Sequence, residues 1–121
     1  MSEISNAKTF NLEERTFEFA QAVRAFGRTL PHTLANVEDA RQLIRASGSV
    51  GANYIEANES LGKKDFLMRA RIARKEAKEA RYWLRLLDTG TDAGIDKQRS
   101  DLIQEATELL KILSAIIGKS S

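Results

Sequence analysis

The sequence predicts an all-α fold: an antiparallel up-down-up-down four-helix bundle. Three observations carry that prediction. Apolar residues recur at alternating intervals of three and four along most of the chain, which is the period of one helix face. The 121 residues include one proline, the residue that helix interiors tolerate least. No stretch alternates apolar and polar residues with the period of two that a half-buried strand needs.

The first helix opens at Asn11, where Asn11 and Glu14 have the spacing of a capping box. Leu12, Thr16, Phe19, Val23, Phe26 and Leu30 then form a heptad seam, widened by Phe17 and Ala20. Gly27 is a weak point, and Pro31 ends the segment because it cannot continue the hydrogen-bond ladder. The second helix is expected to begin near Asn36, with Asp39 in its acidic first turn. Val37, Ala40, Ile44, Ser47, Gly51, Tyr54 and Asn58 keep the heptad spacing. Its middle, Ser47-Gly48-Ser49-Val50-Gly51-Ala52, weakens a helix by about 1 kcal/mol per glycine. The period continues on both sides, so a helix is predicted, with small residues that allow another backbone to approach. A break over Ser47–Gly51 is the competing reading.

Leu61-Gly62 closes that helix, and the third starts between Lys63 and Asp65. Phe66, Ala70, Ala73, Ala77, Ala80, Leu84 and Leu87 form the clearest seam in the chain. Its alanines suit close packing against the bulky first helix. The fourth helix starts between Asp92 and Asp96 and is stopped by Gly118. Ile95, Leu102, Ala106, Leu109, Leu113 and Ile116 make its seam. Short connections make neighbouring helices antiparallel. Residues 1–10 are expected to be a flexible N-terminus, 11–118 the bundle and 119–121 a tail.

Composition narrows the function. A hydrophobic fraction of 42% with 30% charged residues is that of a globular protein, and the length suits one domain. The absence of Cys excludes disulfides, thiol nucleophiles and Cys-ligated metal centres, and the single His excludes a multi-histidine site within one chain. Met1–Thr9 lacks the basic and apolar regions of a targeting signal, and no window holds about 18 uncharged apolar residues. A cytoplasmic protein with no membrane partner is expected.

The net charge of +2 conceals a strong asymmetry. Residues 63–87 carry nine basic and three acidic side chains, net +6, against −2 in residues 1–40 and −2 in residues 88–121. At about 100° per residue, Lys64, Arg71, Arg74, Lys75, Lys78, Arg81 and Arg85 fall within an arc of about 120°. Such a basic stripe on one rod is a candidate phosphate-backbone footprint for RNA or DNA. Tyr82 is the only interleaved aromatic, so contact is expected to be backbone-directed, with little sequence choice. The alternative is a solvated face paired with acid on other helices, such as Glu13, Glu14, Glu18, Asp101, Glu105 and Glu108. A second arc of the same helix, away from the seam, holds Met68, Ile72, Trp83 and Leu86. Left in water these form an apolar patch, and self-association is the expected use; coverage by the first or fourth helix is the alternative.

No catalytic residue, metal site or cofactor is predicted. Glu56-x-x-Glu59 and Glu76-x-x-Glu79 have the spacing of carboxylate pairs in di-metal bundles, but those sites also need Glu-x-x-His motifs. The sole His32 lies in the loop after Pro31. Pairing with Arg41, Arg45, Arg74 and Arg81 is the expected role of these glutamates. Gly48-x-x-Gly51 joins no strand to a helix and precedes no Gly-Lys-Ser/Thr, so it is no phosphate loop.

Two runs carry a family resemblance: Ser49-Val50-Gly51-Ala52-Asn53-Tyr54-Ile55-Glu56-Ala57-Asn58-Glu59, then, after Lys63-Lys64-Asp65-Phe66, Arg74-Lys75-Glu76-Ala77-Lys78-Glu79-Ala80-Arg81-Tyr82-Trp83-Leu84. The sequence resembles the four-helix-bundle proteins encoded in intervening sequences of bacterial 23S rRNA, also labelled a 23S ribosomal protein family. The resemblance covers about residues 12–117. Many members have Pro at the position of Gly51 and Gly at that of Ala57. The resemblance implies a bundle assembled as a homopentamer. It also implies kinship with the accessory protein of diversity-generating retroelements, a basic pentameric barrel associated with nucleic acid and a reverse transcriptase. The family name records gene location, and membership of the ribosome does not follow from it. By the motif, Asn53, Glu56, Arg74, Glu76 and Glu79 would be signature positions, and polar side chains between close-packed helices suggest a structural network. The expected function is therefore a non-enzymatic, oligomeric, nucleic-acid-associated bundle. A purely structural or protein-interaction module is the first alternative, and a carboxylate metal enzyme a remote one.

Overall fold

The computed structural model describes residues 11–121 as four α-helices: α1 (Leu12–Gly27), α2 (Leu34–Asn58), α3 (Lys63–Leu86) and α4 (Ala93–Ser120). The described residues contain no strand. The expected N-terminal segment, 1–10, lies outside them. The helices form a ring in which α2 and α3 share the most extensive contact, α4 packs on α3, and α1 closes the circle against α2 and α4. The alanine seam of α3 therefore lies against α2 and α4 and not primarily against α1, as its thinness had suggested. Side chains from all four helices meet in one core: Phe19, Val23 and Phe26 of α1 share it with Leu43, Ala77, Leu84, Leu109 and Leu113.

The α1 seam stands as the heptad predicts. Leu12, Thr16, Phe19, Val23 and Phe26 are all buried. Its ends differ from expectation. Asn11 occupies the N-cap position but makes no side-chain cap, and its backbone (φ −97°, ψ 41°) is not the extended one that capping uses. The Glu14 half of the box is exposed. At the other end the helix stops at Gly27 and winds down through Thr29 N–H to the Phe26 carbonyl (3.0 Å) and Leu30 N–H to the Gly27 carbonyl (3.4 Å). The proline ring would clash with the carbonyl four residues before it, and Pro31 places that carbonyl on Gly27. Leu30 stays buried beyond the helix end.

Helix α2 starts two residues earlier than predicted. Thr33 is its cap, accepting the Asn36 N–H at 3.1 Å. Asn36 itself is 2% exposed and tied elsewhere. Its amide donates to the carbonyls of Pro31 (2.9 Å) and Asp88 (2.8 Å), and its Oδ1 accepts the Asp88 N–H (2.9 Å). One side chain thus fastens the α1–α2 connection to the α3–α4 connection. The helix is continuous through Ser47–Gly51, as the period requires. A Cβ at Gly51 would stand 2.8 Å from Thr16 Oγ1 and 3.2 Å from Thr16 Cβ, so α1 and α2 approach each other through that glycine. The buried face of α2 is wider than one seam. It takes in Leu43, Ala46 and Val50 as well as Ser47 and Gly51, while Val37 and Asn58 are exposed.

Helix α3 begins after Gly62 and buries Ala70, Ala73, Ala77, Ala80 and Leu84. Asp92 caps α4, accepting from Gly94 N (2.8 Å) and Ile95 N (3.0 Å). The preceding turn uses Gly90 at φ +69°, a left-handed conformation suited to glycine. The fourth helix runs past Gly118 to Ser120.

Candidate nucleic-acid interface

The seven basic residues of the predicted stripe lie on α3 opposite or beside its alanine seam. Lys64, Arg71, Lys75, Lys78 and Arg85 are exposed; Arg74 and Arg81 are half-buried at the edge. Their pairing distinguishes the two readings of the stripe. Among the described residues, none of the seven forms an ion pair with another helix. Lys75 lies 3.9 Å from Glu79 one turn away, an exposed contact worth little. Arg81 donates to the Thr107 hydroxyl of α4 at 3.3 Å.

Part of the acid that could have neutralised the stripe is used elsewhere, while Glu14 and Glu18 of α1 are exposed. Arg15 of α1 donates from Nε and Nη2 to both carboxylate oxygens of Glu105 (2.8 and 2.9 Å) and from Nη2 to Glu108 (2.8 Å). This bidentate clamp joins α1 to α4. The hydrogen bond to Glu105 raises the guanidinium pKa still further, with burial opposing. Asp101 pairs with Lys97 at 3.0 Å and Asp96 with Arg99 at 2.6 Å, both within α4. Glu13 accepts from Asn58 at 2.8 Å.

Tyr82 lies on the line of the stripe, seven residues after Lys75 and three before Arg85, and is 53% exposed. Its ring meets that of Trp83 edge-to-face, with centroids 5.2 Å apart and planes at 77°. The predicted apolar arc is present in part. Met68 and Leu86 are each 49% exposed. Ile72 is half-buried, and Trp83 is half-buried and packed against the core, so Trp83 does not stand in water in the single chain.

The five signature positions do not assemble into one network within the chain. Asn53 donates to the Ser49 carbonyl (2.9 Å), and its Oδ1 accepts from Arg69 (3.3 Å). Arg69 thus links α2 to α3, and nothing in the local pattern singles it out from its eight basic neighbours. Glu56 is exposed, and Arg74 has no ion pair among the described residues. Burial and the neighbouring Glu79 push the Glu76 carboxyl above the ordinary glutamate range, against the pull of Lys75 and Arg45. Among the described residues, none of the expected arginine contacts to Glu56, Glu59, Glu76 or Glu79 closes to an ion pair. The described residues contain no cluster of three or more metal-ligating side chains, and His32 is exposed. No helix among them is long and apolar enough to cross a membrane.

The chain is similar to a crystallised protein of unknown function from the S23 ribosomal protein family of Bacteroides thetaiotaomicron. The two share 30% identity with a TM-score of 0.75, over 87% of this chain and 96% of that one. No curated protein matches. Residues 8–115 match the family described as 23S rRNA-intervening sequence protein. With the four-helix architecture and the two motif runs, that match places the chain in the 23S rRNA-intervening sequence protein family.

Proposed function

We propose that this chain is a non-enzymatic, self-associating cytoplasmic bundle that binds nucleic acid through the basic stripe of α3. The observation that carries this reading is the state of the cations. Lys64, Arg71, Lys78 and Arg85 are exposed without an ion pair among the described residues, although the same molecule holds six acidic residues on 88–121 alone. Unpaired guanidinium and ammonium groups spaced along a rod suit phosphate oxygens. The half-exposed Met68 and Leu86 support self-association, and the resemblance implies a homopentamer. Repeated stripes would raise binding by avidity.

Replacing Arg71, Lys75, Lys78 and Arg85 together with Glu tests the reading. Loss of binding to RNA and DNA at low salt, with helicity and thermal unfolding retained, is the expected result. A wild-type chain that binds neither at low salt refutes it. For assembly, Trp83→Ala should lower the mass measured by light scattering, and a monomeric wild type contradicts self-association. The second reading, a protein-interaction module whose partner seats on the Met68–Leu86 arc, draws on the same exposed residues. It predicts that the four-fold charge reversal leaves partner capture intact.

A further inference from the structure

We infer that the α3 stripe takes unpaired, single-stranded nucleic acid, with one base stacked on the ring of Tyr82. This deepens the nucleic-acid reading above and rests on it. Tyr82 stands seven residues after Lys75, four after Lys78 and three before Arg85, spacings that bring side chains to one helix face. More than half of the residue is exposed, and its hydroxyl has no hydrogen bond among the described residues, so neither core packing nor a polar contact accounts for the ring. It is nonetheless braced. The edge-to-face contact with Trp83, which packs against the core, holds the ring beside the cations.

A braced aromatic ring within a line of cations has a use on one form of nucleic acid. In a duplex the base faces are stacked on one another, and only their edges reach the grooves. An unpaired strand leaves the faces free, and stacking on an aromatic side chain accepts every base. The stripe itself is a single line. Lys64 to Arg85 spans about 32 Å of helix, with the cations on one face, which suits one sugar-phosphate backbone. Lys78 and Arg85 would hold phosphates on either side of the stacked base.

Fluorescence anisotropy with the full chain tests this. The probe is an end-labelled mixed-sequence DNA of about 20 nucleotides, used alone and annealed to its complement. The wild type should bind the single strand more tightly than the duplex by about five-fold or more. Tyr82→Ala should weaken single-strand binding by about ten-fold, leave duplex binding unchanged and leave the salt slope unchanged. Tyr82→Trp should restore it. Light scattering of Tyr82→Ala should match the wild type. Equal affinity for strand and duplex, or an unaltered Tyr82→Ala, overturns the inference and leaves the stripe reading standing. A Tyr82→Ala chain that loses its assembly and weakens both probes alike identifies an interface residue, which also overturns it. A wild type that binds neither probe overturns the nucleic-acid reading itself.

Discussion

The close approach of α1 and α2 at Gly51 leads to a prediction whose sign reverses with one neighbour. Gly51→Ala should destabilise the protein even though alanine is the better helix former. Replacing a mid-helix glycine by alanine ordinarily gains about 1 kcal/mol. Here the new methyl would stand 2.8 Å from Thr16 Oγ1 and 3.2 Å from Thr16 Cβ, inside any normal contact. Thr16 cannot easily yield. It is buried, its Oγ1 donates to the Glu13 carbonyl at 2.9 Å, and turning χ1 would bring its methyl into the same space. Overpacking of this kind costs about 1–3 kcal/mol, so the net change should be a loss of up to about 2 kcal/mol. In a Thr16→Gly background both the Oγ1 and the Cβ contacts are gone, the backbone carbon of residue 16 lies at an ordinary 3.7 Å, and the propensity gain remains. There Gly51→Ala should stabilise by about 1 kcal/mol relative to Thr16→Gly alone. Urea unfolding of the four members of this cycle measures both numbers. Equal effects of Gly51→Ala in the two backgrounds would refute the close approach as the reason for the glycine.

Two further perturbations follow from the polar contacts. Arg15→Met breaks the clamp between α1 and α4 and should cost about 1–2 kcal/mol, because three charge-assisted hydrogen bonds go while the two carboxylates keep partial access to water. A urea midpoint within error of the wild type would show that α1 is held by its apolar seam alone. Glu76→Gln should stabilise at neutral pH. A carboxyl whose folded pKa lies above its unfolded value costs nothing while protonated in both states. The cost begins as the pH passes the unfolded value, grows up to the raised folded value and is complete above it. The gain in Tm should therefore be present at pH 7 and absent at about pH 3; a gain that persists in acid would assign it to packing.

The seams of α1, α3 and α4 were legible because each presents one apolar stripe to the core; burial follows the heptad except at its ends, where Phe66 and Ile95 are half-buried and α4 buries Ile117 in place of Ile116. The single seam assigned to α2 was too narrow, because the helix buries Leu43 and Val50 together with Ser47 and Gly51. Helix starts were less legible. Asn36 carries a capping residue's chemistry but spends it on Pro31 and Asp88, a partner 52 residues away that no local pattern discloses. The basic stripe could be drawn from the period alone. Whether it is neutralised depends on where Glu105 and Glu108 land, and that is decided by Arg15, ninety residues away from Glu105. For the same reason the wheel left Trp83 outside the seam, whereas the fold rests its ring on the core edge and leaves Met68 and Leu86 as the open part of the arc.

The salt dependence of binding tests the central claim, that α3 contacts phosphates. Five exposed cations on one stripe, Lys64, Arg71, Lys75, Lys78 and Arg85, each displace about 0.7 of a counterion from a single strand. The logarithm of the association constant should then fall against the logarithm of salt concentration with a slope of about −3.5. Replacing Arg71 and Lys78 with Gln should reduce that slope by about 1.4. A wild-type slope near zero, or one that the double replacement leaves unaltered, would contradict the account.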